Sequence, residues 1–249
     1  MSRTAAALVV GDEVLSGKIH DSNSHDLAKF LRSLGVELRR IVTVPDVVES
    51  IAEELNALST RFDLVFTSGG VGPTHDDVTI DAIAFALGRT TLRHPALERA
   101  LREHFAERCT DDHLRMATVV EGTELCYGEG DPAPWPALKL GSIFILPGVP
   151  QLFRAHLELL RPVLSGAERA FVVESVLCSA DEARLKPLID RVVAGYPDVG
   201  IGSYPRFRDG DEGYTVRITF DARDPAQVRA ARDTFASSLP PEWLLRVEP

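Results

Sequence analysis

Cysteine is scarce in this sequence. Cys109, Cys126 and Cys178 are the 3 cysteines among 249 residues, far apart and without CxxC or Cys/His ligand spacing. That argues against a disulfide framework and a structural zinc, and leaves the thiols as buried apolar groups in a reducing compartment. Long hydrophobic runs are missing too. The apolar stretch Ala5–Val10 is too short for a signal-peptide core and runs into Asp12 and Glu13. Nothing approaches the roughly 18 apolar residues of a membrane span. A cytoplasmic protein with no membrane partner is expected. Positive charge is in deficit, with Lys+Arg 27 against Asp+Glu 37 and a net charge of −10. A surface of that sign repels phosphate backbones, so nucleic acid is not an expected partner. A small phosphorylated ligand is not excluded. It needs only a local set of backbone N–H groups, a metal or an arginine.

What is present is alternation of strand and helix, in a length that suits one or two domains. Ala5–Val10 reads as a buried strand. Asp21–Leu34 reads as a helix, with Leu27, Phe30, Leu31 and Leu34 on one face and Gly35 at its C′ position. Val36–Val44 is the next strand. Asp46, with Glu49, is placed to cap a helix whose inner face is Val48, Ile51, Leu55 and Leu58. Asp63–Thr67 is a third strand, and Asp77–Leu87 a strongly apolar, buried helix. Pro95–Arg108 and Asp112–Thr118 read as helices, Gly128–Pro136 as loop, and Ser142–Leu146 as a buried strand. Gln151–Leu164 is a helix with Leu152, Phe153, Leu157, Leu160 and Val163 inward. This order predicts an α/β fold with a doubly wound, mostly parallel sheet over residues 1–165.

After a short linker at Ser165–Arg169 the pattern changes. A strand at Phe171–Leu177 leads to a helix capped by Ser179 and Glu182 and running to about Ala194. Strands at Val199–Tyr204 and Tyr214–Phe220 follow. A helix opened by Asp224–Pro225 runs to about Ser238, and Leu244–Val247 closes the chain as a strand. The order βαββα(β) over residues 170–249 predicts a small α+β, ferredoxin-like domain.

The most informative stretch runs from Thr67 to Thr79, with Ser68, Gly69, Gly70, Gly72, Thr74, Asp76 and Asp77 inside it. It follows a strand and precedes a helix. In an open α/β sheet, ligands bind beyond the carboxyl ends of the strands. Glycines let a ligand approach bare backbone, and a following helix N-terminus favours phosphate. The adjacent carboxylates of Asp76 and Asp77 suit a divalent metal, Mg²⁺ or similar, that bridges phosphate oxygens. The plainer alternative is a tight turn with Asp76 as a helix cap. The stretch is neither a P-loop nor a GxGxxG fingerprint.

Gly11–Asn23 also leaves a strand end and should lie on the same rim. Asp12 and Glu13 can ligate metal or orient water, and Asp21 and Asn23 can contact a ligand or merely cap a helix. Lys18 and His20 read as solvated loop residues. At Leu146–Pro150, Gly148 either admits a ligand edge or simply starts a helix. Arg115 can reach a phosphate or form a surface ion pair. His25, His94, His104, His113 and His156 have no neighbour that singles them out, and His156 falls on the polar flank of its helix. No serine has a nucleophile-elbow context.

Taken together, GDEVLSGKIHDSN, SGGVGPTHDDVT and LPGVPQ resemble the competence/damage-inducible protein A family, in its molybdenum-cofactor-biosynthesis (molybdopterin-binding) domain, over about residues 4–165. The same domain type is fused to FAD synthase in eukaryotes. The resemblance implies catalytic roles for Asp76, Asp77 and Glu13, and metal ligation by Asp76, Asp77 and Asp12. It implies phosphate or ligand binding by Ser68, Gly69, Gly70, Gly72, Thr74, Asp21, Asn23 and Gly148. It further implies metal-dependent hydrolysis of a nucleotide pyrophosphate such as ADP-ribose or FAD. More distant relatives bind molybdopterin and transfer an adenylyl group to it, and a non-catalytic binding module is a third possibility. A homo-oligomer is expected by the same resemblance. Two departures stand out. Asp131–Trp135 replaces a Gly-rich segment and adds an indole, which can reshape or block part of the ligand site. The amidohydrolase domain that follows in many bacterial members has no room before Pro249.

Overall fold

The computed structural model describes residues 3–128, 135–166, 169–206 and 213–248. Asp131–Pro134, most of the segment that departs from the family pattern, lies outside the described residues. The chain divides into two compact units, 1–168 and 169–249.

The first unit opens with β1 (Thr4–Val10), the short helix α1 (Asp12–Leu15), α2 (Asn23–Ser33), β2 (Glu37–Val44), α3 (Val48–Ser59), β3 (Leu64–Ser68) and α4 (Thr79–Leu87). There follow β4 (Thr91–Arg93), α5 (Pro95–Phe105), α6 (Asp111–Arg115), β5 (Thr118–Val120), β6 (Glu124–Cys126), β7 (Ala137–Leu140), β8 (Ile143–Leu146) and α7 (Pro150–Leu164). The main sheet has the order β2-β1-β3-β8-β7-β6. Its first four strands are parallel, and β7 and β6 extend it antiparallel.

Alternate residues of β1 explain the continuous apolar run. Ala6, Leu8 and Val10 join one core with Ile51, Leu55 and Ile83 of α3 and α4. Ala5 and Ala7 join the other with Leu27, Leu31, Phe153 and Leu157 of α2 and α7. Both faces are covered, as a parallel sheet requires. The expected doubly wound α/β architecture is therefore present. From β1 the chain crosses to β2 on one side and then returns to β3 on the other, so the strand order reverses between β1 and β3. That is where ligand crevices form in such sheets.

Several local expectations are corrected. Helix α4 begins at Thr79 with Val78 at its N-cap, so Asp76 and Asp77 lie in the turn before it. That helix is not wholly buried: Phe85 is 65% exposed. Asp46 does not cap α3, whose N-cap is Val47; its carboxylate accepts the Asp12 N–H at 2.8 Å instead. The helix expected over Asp112–Thr118 ends at Arg115, and Thr118 instead opens β5, whose β-branched run pairs antiparallel with β4. Leu152 and Val163 are exposed, while His156 is buried.

The second unit comprises β9 (Val172–Cys178), α8 (Glu182–Gly195), β10 (Gly200–Pro205), β11 (Val216–Ala222), α9 (Pro225–Ser238) and β12 (Leu244–Glu248). Its antiparallel order β10-β11-β9-β12 is that of a ferredoxin-like βαββαβ domain. Val216, Ile218, Phe220 and Ala222 alternate inward onto Leu185, Val228 and Phe235 of the two helices. Asp224 caps α9 by accepting the Ala226 N–H at 2.9 Å. At α8 the cap is Asp181 rather than Ser179, whose hydroxyl instead donates to the Glu242 carbonyl.

Candidate functional site at the strand ends of the parallel sheet

Register brings the suspected stretches together. Val9 pairs with Ser68, Ser68 with Leu146, and Val10 with Val44, so the segments after β1, β2, β3 and β8 leave one edge of the sheet. Asn23 fastens three of them. Its side-chain amide donates to Ser68 Oγ at 3.0 Å and to the Gly148 carbonyl at 2.8 Å. Asp21 stands at the same corner and accepts the Ser24 N–H at 3.0 Å.

The glycine loop is shaped by close approach. Gly69 and Gly70 have φ of 101° and 66°, in the left-handed region. A Cβ on Gly69 would meet the Val10 carbonyl oxygen at 2.3 Å, and one on Gly70 would meet Thr79 Oγ1 at 2.3 Å. Thr79 closes the loop by donating its hydroxyl to the Gly69 carbonyl and its N–H to the Gly70 carbonyl, both at 2.9 Å. Gly148 lets the β8–α7 turn approach, because a Cβ there would lie 3.3 Å from Gly69 Cα. The N–H of Gly69 is used by the Leu146 carbonyl, but those of Gly70, Val71 and Gly72 have no acceptor among the described residues. Successive bare amides of this kind are built for an anion.

The loop forms one wall of a cleft of about 610 Å³, within the size range of small-molecule sites. Glu13, Thr74 and Asp77 also line it. Away from the loop its walls are largely apolar, with Met116, Leu138, Ile145, Leu152 and the Trp135 indole. Trp135 therefore contributes a surface to the cleft. Arg115 faces Gly72 and Asp77 across a smaller adjoining hollow and makes no ion pair among the described residues.

The acidic residues fall into two groups. Asp77 folds back onto Thr74, accepting its N–H at 2.8 Å and its hydroxyl. Asp76 lies beside the same threonine. The nearby Thr74 hydroxyl, then its own backbone amide and His75, hold the Asp76 carboxyl below the usual range. Asp46 belongs with Asp12, Glu13 and Asp76. Burial first, and then the charges of Glu13, Asp12 and Asp76, raise its carboxyl above the usual range, against the lowering hydrogen bond from Asp12. Sequence reasoning read Asp46 only as a cap. The available signal was its place just past a parallel strand, on the same rim as the other loops. Among the described residues no three His, Cys, Asp or Glu side chains are grouped closely enough to hold a metal unaided. No helix among them is long and apolar enough to cross a membrane.

Residues 6–166 match the family described as "Probable molybdopterin binding domain". The chain belongs to this family. Residues 170–248 match a second, described as "FAD synthase, middle domain". The fold is similar to the crystal structure of "the protein CinA with unknown function" from Thermoplasma acidophilum, with TM-score 0.59 and 26% identity over 66% of this chain and 98% of the other. A "CinA-like protein" of Myxococcus xanthus is 39% identical over 61% of this chain and 37% of its own length. A "Probable FAD synthase" of Caenorhabditis elegans is 32% identical over 92% of this chain, which spans about half (48%) of that relative. The resemblance drawn from the three motifs holds on both counts, family and fold.

Proposed function

We propose that the first unit binds a nucleotide pyrophosphate, of the ADP-ribose or FAD type, across this rim and hydrolyses it with the help of a divalent cation. The observation that carries the reading is the meeting, in one cleft, of the bare amides of Gly70–Gly72 with the carboxylates of Glu13 and Asp77, Glu13 belonging to an acidic edge whose Asp12, Glu13 and Asp76 charges act on Asp46. The amides suit a polyphosphate, and an acidic edge beside it calls for a cation between them.

The residues fit a magnesium-type ion. Carboxylates are hard oxygen donors, and Mg²⁺ is held by one or two of them while waters and substrate phosphates complete its shell. An edge without a ready-made three-residue cluster is compatible with that. One or two of Asp76, Asp77 and Asp12 would hold the ion, which when bound neutralises charge developing on the phosphate oxygens. Glu13 would orient the attacking water and accept its proton as oxygen bonds to phosphorus and the bridging P–O bond breaks. Gly69, Gly70 and Gly72 cradle the phosphates. Asn23, Ser68, Thr74, Asp21 and Gly148 keep the loops in place around them.

A second reading is pterin binding or adenylyl transfer in molybdenum-cofactor metabolism. The family match over 6–166 favours it, as does an indole on the cleft wall that suits a flat ring. Turnover of ADP-ribose and FAD, measured with Mg²⁺, Mn²⁺, Co²⁺ and chelator, separates the readings. Metal-dependent release of two monophosphates is expected. Pterin binding without turnover would replace the first reading by the second, or by a non-catalytic module.

A further inference from the structure

We infer that His156 marks the part of the cleft that takes a flat nitrogen heterocycle, its imidazole hydrogen-bonding the ring edge while the glycine loop holds the ligand's phosphate. The inference rests on the phosphate reading above and adds the side chain that contacts the ligand's ring.

His156 lies on α7 within the stripe Phe153, Leu157, Leu160 and Leu164, and is 5% exposed. A polar ring in such a stripe needs a partner, since an enclosed unsatisfied group has lost its bonds to water without replacement. Yet Nδ1 is enclosed with no partner, and the side chain makes no hydrogen bond or ion pair among the described residues. The ring nevertheless lines the cleft, together with Trp135, Leu138 and Leu152.

Chemistry narrows the missing partner. Burial alone pushes the imidazole down to about 4. At neutral pH it is uncharged, with one donor and one acceptor nitrogen. An uncharged ring brings no charge to a phosphate, which the bare amides already serve. Nor does it stand in any group of metal-ligating side chains among the described residues. A nucleobase, flavin or pterin fits both features at once. Its edge carries alternating donors and acceptors for the imidazole, and its faces suit the indole and leucine walls.

Calorimetric titration of the full chain with AMP, FMN and methylenediphosphonate, all resistant to pyrophosphate hydrolysis, tests this. His156→Phe keeps a flat ring without nitrogens, and His156→Gln restores a donor and an acceptor. The Phe variant should lose about tenfold in affinity for the ring-bearing probe that the wild type binds, the worth of one hydrogen bond. Its affinity for methylenediphosphonate should stay within about twofold, and the Gln variant should recover part of the loss. Unchanged affinity for ring-bearing probes in both variants, or an equal loss on all three probes, overturns the inference. A wild type that binds methylenediphosphonate but neither AMP nor FMN overturns it and leaves the phosphate reading standing. A wild type that binds none of the three overturns both.

Discussion

The two ends of the parallel sheet treat a carboxylate in opposite ways. At the end where strands enter, Asp63 precedes β3 and accepts the Thr4 N–H at 2.7 Å and the Thr4 hydroxyl at 2.8 Å. Those two bonds, first the backbone one, hold its carboxyl below the usual range. At the end where strands exit, Asp46 is partly desolvated and crowded by Glu13, Asp12 and Asp76, and its carboxyl is pushed up. The same residue type thus serves stability at one edge and is held against electrostatic preference at the other. Unfavourable placements persist where something outside the fold rewards them. The exit edge also carries the bare amides and the enclosed Asn23 Oδ1, Ser24 Oγ and Thr67 Oγ1 without partners.

The comparison can be broken most forcefully at the glycine loop. Gly70→Val should destabilise the first unit by roughly 3 kcal/mol or more, since positive φ and overpacking each cost about 1–3 kcal/mol. The Cβ would strike Thr79 Oγ1, so the loss is expected in folding as well as in ligand binding. Denaturant unfolding measures it. A variant as stable as wild type would mean that the loop is not held as described. Next in size are Asp76→Asn and Asp77→Asn, each expected to lower turnover about 10²–10³-fold. Secondary structure should be retained, because neither residue caps α4. Full activity in both variants, across a metal titration, would remove the acidic pair from the metal site. Asn23→Ala should cost about 1–3 kcal/mol of stability, since it strips the Gly148 carbonyl and Ser68 of their donor. By contrast Gly195→Ala, where a Cβ meets nothing within 4 Å, should be neutral or gain about 0.4–1 kcal/mol.

The smallest effects are in pH. Asp46 is raised in the folded state, so its contribution is fully present below the ordinary aspartate range and is lost as pH rises through its folded pKa. Asp46→Asn should therefore flatten a decline in stability above that range. Asp63, lowered, contributes above the ordinary range and loses that contribution as acid is added. His156 behaves like a base with a depressed pKa. The unfolded chain takes up its proton first, so stability is lost as pH falls from about 6.5 to about 4. Unfolding curves of His156→Phe over that interval should show a shallower slope than wild type.

Continuously apolar or regularly alternating elements were legible in the sequence, and short mixed ones were not. β1, β3 and β8 announced themselves as apolar runs because both their faces are buried, and β11 did so by alternation over one packed face. β4 to β7 escaped because their three or four residues mix polar and apolar side chains without a readable period, whereas the equally short β8 is apolar throughout. The rim was legible in outline, since Gly69, Gly70 and Gly72 follow a strand end. What the sequence hid was set by long-range contact. Asp46 turns to Asp12 instead of to its own helix, and Asp77 turns back to Thr74. His156 looked like a flank residue because polarity was weighed above spacing, yet it stands at i+3 from Phe153 on the buried stripe of α7.

The Asn23 fastening bears on how the protein is made. Its two acceptors sit at Ser68 and Gly148, the latter 125 positions further along the chain. A ribosome releases the amino end first, so α2 and the glycine loop are outside before the turn that completes their enclosure has been translated. The rim is thus among the last parts of its unit to close, and closing it carries the loop entropy of a distant pairing. A pause in translation before codon 148 would leave the partly folded chain with its glycine loop exposed and no clamp to hold it.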